Sequence, residues 1–141
     1  MAGQDTTSGT QFSSSVAGSV TAIRFYKGAG NGGTHTGSIW SSAGTRLATG
    51  TFTDETAEGT QTLVLDQPVP ITPGQTYTVS YYAPQAHYAV STGFLSQPFS
   101  QGPLTVPVNG GRYRYGTGGG LPTSSYNSSN YWVGVVFRAS G

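Results

Sequence analysis

Residues 130–138 read Asn-Tyr-Trp-Val-Gly-Val-Val-Phe-Arg, and the fold class turns on how this stretch is read. Tyr131, Val133, Val135 and Phe137 share one parity, and Trp132, Gly134, Val136 and Arg138 share the other. Alternation with period two, carried by β-branched and aromatic residues, predicts a strand packed on a core through one face. The other face places a large indole next to a position with no side chain. That combination leaves a notch suited to a ligand, a loop or another chain.

Working outward, two more stretches share this character. Residues 20–27, VTAIRFYK, set Ile23 and Phe25 against Arg24 and Tyr26. In residues 75–82, QTYTVSYY, the parity separates Tyr77, Val79 and Tyr81 from Thr76, Thr78, Ser80 and Tyr82. These three segments are expected to be the longest strands, with Ile23, Phe25, Val79, Val133, Val135 and Phe137 buried. Residues 36–53 read as a hairpin turning at Ala43-Gly44, with Ile39 and Leu47 as core partners across it. Shorter strands are expected at 11–15 and 61–65, with PVPITPG (residues 68–74) a stiff connection between strands.

The composition agrees with an all-β protein. The 141 residues include 22 glycines and eight prolines, and the apolar runs between them are short. No window has helical periodicity. Only 8% of residues are charged and the formal net charge is +1, which provides no electrostatic footprint for nucleic acid or an anionic membrane. No apolar run has the length of a membrane-spanning helix, so membrane insertion is not expected. Cysteine is absent, which removes disulfides and thiolate metal sites. The N-terminal MAGQDTTSGT has neither a basic nor an apolar leader segment. The chain therefore reads either as a domain of a larger secreted protein or as a protein made in the cytosol and displayed on a particle. Residues 1–10 are expected to be a flexible lead-in and residues 11–141 a single domain.

Between Pro84 and Ser129 the chain is dominated by Gly, Pro, Ser and Tyr, with strand-like pieces only at 87–91 and 112–115. A long irregular connection before the last strand implies either a cap on the core or a binding surface. It carries Tyr88, Phe94, Phe99, Tyr113, Tyr115 and Tyr126, more aromatics than a spacer requires.

The residues that carry chemistry are few. The glycine-rich loop GAGNGGTHT (28–36) lacks the Lys-Ser/Thr of a phosphate-binding loop and reads as a hairpin connection. Asp54, Glu55 and Glu58 lie on one turn without the spacing of a calcium loop, so the turn is expected to be solvated and to hold no metal. Glu55 and Glu58 are also too close in sequence to straddle a glycosidic bond. His35 and His87 read as hydrogen-bonding loop residues rather than bases beside a nucleophile. No catalysis and no cofactor are expected. Sugar binding asks for less: an aromatic ring against the C–H face and hydrogen-bonding groups around the hydroxyl rim. Trp132, Tyr82, Tyr88 and Tyr126 with Asn130, His87 and Arg24 supply these groups, with Trp132 above the Gly134 notch as the stacking platform and Asn130 and Arg24 as rim donors.

Three segments are also specific enough to resemble a known family: RFYKG (24–28), HTGS-x-W (35–40) and NYWV (130–133), within the longer stretches 15–52, 71–89 and 124–137. Over about residues 12–137 the chain resembles the bacterial domain of unknown function 4082. The family pattern has Trp where this chain has Thr60 and Asp where it has Gly134. The resemblance implies a β-sandwich accessory module of secreted proteins, found beside cadherin-like, immunoglobulin-like and carbohydrate-active domains. The combined expectation is an antiparallel, jelly-roll-like β-sandwich of about eight strands. Its expected role is a non-catalytic extracellular binding module for a glycan or cell-surface polysaccharide. The alternative is a decoration protein of a virion, fibre or other surface assembly, whose aromatic loop contacts neighbouring domains or subunits. Because carboxylates are few and poorly spaced, EDTA is expected to shift the melting temperature by less than about 5 °C, roughly 1 kcal/mol for a domain of this size. A larger drop would make the 54–58 turn a metal site.

Overall fold

A computed structural model describes residues 6–27, 35–53, 55–56, 59–83, 99–101, 103–107, 110–115, 121–122 and 133–139. These form an all-β antiparallel sandwich with ten strands among the described residues: β1 (Thr6–Ser14), β2 (Gly18–Lys27), β3 (Thr36–Trp40), β4 (Arg46–Thr51), β5 (Gly59–Ile71), β6 (Tyr77–Ala83), β7 (Phe99–Gln101), β8 (Leu104–Val106), β9 (Gly111–Tyr115) and β10 (Val133–Ala139). One sheet has seven strands, ordered β4-β3-β6-β1-β8-β7, with β9 pairing the N-terminal half of β1. The other has three, ordered β10-β2-β5.

The alternation in β2 and β6 does what period two requires. Ile23 and Phe25 face inward and are buried, while Arg24 and Tyr26 face out. Tyr77, Val79 and Tyr81 enter the same core from the opposite sheet. Val133 is buried there too, whereas Val135 and Phe137 are half-buried and pack against the core rather than within it. The sheets are joined by polar contact as well, since the Thr10 hydroxyl donates to the Val133 carbonyl at 2.8 Å in a buried position.

Four expectations are corrected. The flexible lead-in does not extend through Thr10, because β1 begins at Thr6 and lies inside the seven-stranded sheet, between β6 and β9. Its sequence, TTSGTQFSS, has no apolar alternation to announce it. Its small side chains suit an interior strand covered on both faces: Thr7, Ser8 and Thr10 are all buried. A Cβ at Gly9 would come within 2.7 Å of Pro122 Cγ, so the absence of a side chain there lets the 121–122 segment cross close above the strand.

The longest strand is β5, not one of the three expected. It continues through Pro68 and Pro70, where the sequence suggests a connection. Proline cannot donate to a ladder, but β5 is the edge of its sheet and needs partners on one side only. The register jumps from Ala22↔Val64 to Val20↔Val69, so the four residues 65–68 bulge opposite Thr21 alone.

In the β3–β4 hairpin the turn is where the sequence puts it, with Gly44 at φ 86°. Leu47 is nevertheless 42% exposed and is not the core partner of Ile39. Trp40 pairs with Arg46 and Ile39 with Ala48, so Leu47 is the extra residue of a bulge, and its side chain turns outward. Finally, the stretch before the last strand is not irregular throughout, as it contributes β7, β8 and β9 to the larger sheet. The strand-like piece at 112–115 falls within β9; the one at 87–91 lies outside the described residues.

At the centre of the core, Phe25 of β2 stacks on Tyr81 of β6, with ring centroids 4.2 Å apart and planes at 10°. Phe52 meets the same Phe25 ring edge-on at 4.8 Å. Phe25→Ala is expected to destabilise the fold by about 3–5 kcal/mol, the usual cost of emptying a buried aromatic position. Urea denaturation of the two proteins measures this. A loss below about 1 kcal/mol would show that the contact between the sheets does not rest on this ring.

Candidate functional site

Two places gather chemistry-bearing side chains. The first is internal. Lys27, at the end of β2, has inward parity, and its ammonium donates to Glu55 Oε1 at 3.1 Å. His35, just before β3, is fully buried, and its Nδ1 lies 2.8 Å from Oε1 and 3.1 Å from Oε2 of the same carboxylate. A carboxylate only accepts, so Nδ1 carries the proton and donates. The His35 ring also packs on Phe25, with centroids 5.0 Å apart.

The sequence puts Glu55 on a solvated turn; instead it points inward, with its side chain only 12% exposed. The turn is pinned from within a second time by buried Gln61. Its amide nitrogen donates to Thr56 Oγ1 at 2.7 Å and to the Gly59 carbonyl at 3.1 Å, while its oxygen accepts from the Thr56 N–H at 3.0 Å. Gly59, at φ 102°, makes the reversal possible. His35 is thus the hydrogen-bonding residue the sequence suggests, but inside the sandwich rather than on an open loop. With one carboxylate serving two donors beneath aromatic rings, the cluster is built to clamp the 55–59 turn against the ends of β2 and β3. No group of three or more His, Cys, Asp or Glu side chains is placed to hold a metal among the described residues.

The second place is a surface, and it revises the expected ligand site. Of the seven side chains proposed to share that site, Trp132, Asn130, His87, Tyr88 and Tyr126 lie outside the described residues. Arg24 and Tyr82 do not belong to one site. Phe25 and Tyr81 point toward each other across the core, so their neighbours Arg24 and Tyr82 point away, onto opposite outer faces of the sandwich.

The Arg24 face is organised by strand register. Arg24 stands between Thr62 of β5 and Gly134 of β10, Tyr26 stands beside Thr60, and Ala22 stands between Val64 and Val136. Neighbouring strands are about 4.8 Å apart, so these residues form a small lattice of adjacent side chains. Tyr26 is 47% exposed, and Arg24, Thr60 and Thr62 are exposed as well. A Cβ built on Gly134 would meet no atom of the described residues within 4 Å, so among them the position beside Arg24 is open. Arg24 has no ion-pair or hydrogen-bond partner among the described residues; the exposed carboxylate of Asp66, of the same parity as Thr62 and Val64, lies four residues along β5 from Thr62. Tyr26, Thr60 and Thr62 are not among the candidates the sequence singles out. The signal is present for Tyr26, whose parity with Arg24 puts both on one face, but which strands flank β2 is decided only by the fold.

The family model described as Domain of unknown function (DUF4082) matches residues 2–133, and the chain belongs to that family. No curated protein matches the chain.

Burial holds the His35 imidazole below its ordinary pKa of 6.5. The hydrogen bond and charge of Glu55 pull the other way, and the Lys27 charge adds to the lowering. The unfolded chain therefore binds this proton more readily than the folded one. The contribution to stability is complete above pH 6.5 and is lost as pH falls through the lowered folded value. The melting temperature is expected to drop as pH falls below 6.5, and His35→Asn, which keeps a donor for Glu55 but cannot titrate, is expected to flatten that drop. Parallel pH profiles for the two proteins would show that His35 does not cause it.

Proposed function

We propose that this DUF4082 domain is a non-catalytic extracellular binding module that holds a carbohydrate on the outer face of its three-stranded sheet. The observation that supports this most is the exposed Tyr26 ring beside Arg24, Thr60 and Thr62, with open space among the described residues at Gly134 one strand away. A pyranose has one face of C–H bonds and a rim of hydroxyls. The Tyr26 ring is suited to the first, and the guanidinium and two threonine hydroxyls to the second. The missing side chain at Gly134 lets a flat ligand settle against the sheet. The backbone beneath is tied into a β ladder, so little ordering cost accompanies binding.

A second reading, contact between subunits of a surface assembly, is favoured by Val64. It is 72% exposed and lies on the same face as Val136. A side chain this apolar contributes more to a protein contact than to a sugar site.

A glycan array probed with the domain tests the first reading, followed by isotherms for Tyr26→Ala. Stacking contributes about 0.5–1.5 kcal/mol beyond the area it covers, and about 1.4 kcal/mol is one decade in affinity. Tyr26→Ala is therefore expected to weaken binding about tenfold and to leave the melting temperature unchanged, since an exposed ring leaves no cavity. Unaltered affinity would remove Tyr26 from the site. An array without hits, together with self-association abolished by Val64→Lys, would favour the second reading.

A further inference from the structure

We infer that the ligand of this face is an anionic saccharide, whose carboxylate or sulfate is held by Arg24 at the Gly134 notch; the inference rests on the carbohydrate reading above. Arg24 is exposed at the middle of a three-strand row, flanked by Thr62 on one side and Gly134 on the other. Its immediate neighbours offer hydroxyls, a phenol and small apolar groups, and the exposed carboxylate of Asp66 stands four residues along β5 from Thr62. Arg46, by contrast, covers the Trp40 ring, with its Cζ 5.4 Å from the centroid. Arg24 has no such ring contact, ion pair or hydrogen bond among the described residues.

A guanidinium presents a planar fork of donors that matches a carboxylate or sulfate with two parallel hydrogen bonds. To use both arms, the anion must approach in the plane of the fork, which needs free space beside the side chain. Gly134 is the cross-strand neighbour of Arg24, and no atom of the described residues lies within 4 Å of where its Cβ would stand. The notch lies where an acid group would need room to engage the guanidinium. Thr62 on the opposite flank is placed for a neighbouring hydroxyl of the same sugar, and Tyr26 is one step along β2 on the same face. A neutral sugar would use the ring and the threonines but leave the charge of Arg24 uncompensated.

The same geometry supplies the test. Gly134 has open space for a Cβ and is not in the left-handed region, so Gly134→Asp is expected to fold normally. It places a carboxylate directly across from Arg24, where it pairs with the guanidinium and repels an anionic ligand. Arg24→Gln removes the charge and keeps an amide donor. An array of neutral, uronic-acid, sialylated and sulfated oligosaccharides is probed with the wild type, Arg24→Gln, Gly134→Asp and Tyr26→Ala, each first shown to melt like the wild type. Wild type is expected to bind acidic glycans, with the uronic and sulfated arms separating carboxylate from sulfate recognition. Arg24→Gln and Gly134→Asp are expected to reduce that signal by about tenfold or more, and added salt to weaken it. Binding to neutral glycans that is lost in Tyr26→Ala but retained in Arg24→Gln would overturn the inference and leave the carbohydrate reading intact. Acidic glycans bound equally by wild type, Arg24→Gln and Gly134→Asp would overturn it as well. The absence of binding to any glycan would overturn both.

Discussion

The stack of Phe25 on Tyr81 is the contact from which the rest of the molecule can be derived. At 4.2 Å between centroids it joins β2 to β6, and so the small sheet to the large one. Phe52 closes one side of the Phe25 ring and His35 another. Each aromatic pair contributes about 0.5–1.5 kcal/mol beyond the area it buries. Its geometric effect is larger. With Phe25 pinned inward, the pleat leaves Arg24 and Tyr26 no choice but the outer face. With Tyr81 pinned inward, Tyr82 goes to the other side of the sandwich. The core contact therefore dictates which polar side chains can meet one ligand.

The Lys27–Glu55–His35 cluster extends that contact to the ends of the strands. A carboxylate taken this far out of water is tolerable because two donors compensate it. It is also unforgiving, since the loss of either donor leaves charge or hydrogen-bonding capacity unmet. Together with Gln61 it replaces a solvated turn by one stitched from inside. β5 starts directly after that turn and carries Thr60 and Thr62, so the clamp also helps define the start of the strand that flanks Arg24 and Tyr26.

The irregularities of the sheets are informative in the same way. The register shifts in β2–β5 and β10–β2 share one bulge in β2, at Thr21, and this bulge and the one in β3–β4 reverse the parity of the residues beyond them in β2 and β4. That is why Leu47 comes out to solvent although an unbroken alternation from Ile39 would place it inside. It is also why Val20 and Ile23, three residues apart, are both buried. A bulge costs a ladder bond, and it gains a change of face that no strictly alternating strand can make.

The sequence by itself determined the all-β class, the strands at β2, β6 and β10, the inward set Ile23, Phe25, Val79 and Val133, the hairpin turn at Gly44 and the missing side chain at Gly134. All of these rest on local rules: alternation, turn chemistry and the absence of a side chain. Tertiary structure alone decided that Thr-rich β1 lies inside a sheet, that prolines are admitted to β5 because it is an edge, and that Glu55 turns inward to meet Lys27 and His35. It also decided that Arg24 has Thr62 and Gly134 as neighbours and not Tyr82. The physical reason is common to these cases. Alternation states that a residue faces one side or the other, but which strands lie alongside is set by pairings between residues far apart in the chain. A site built across three strands exists only once those pairings are made.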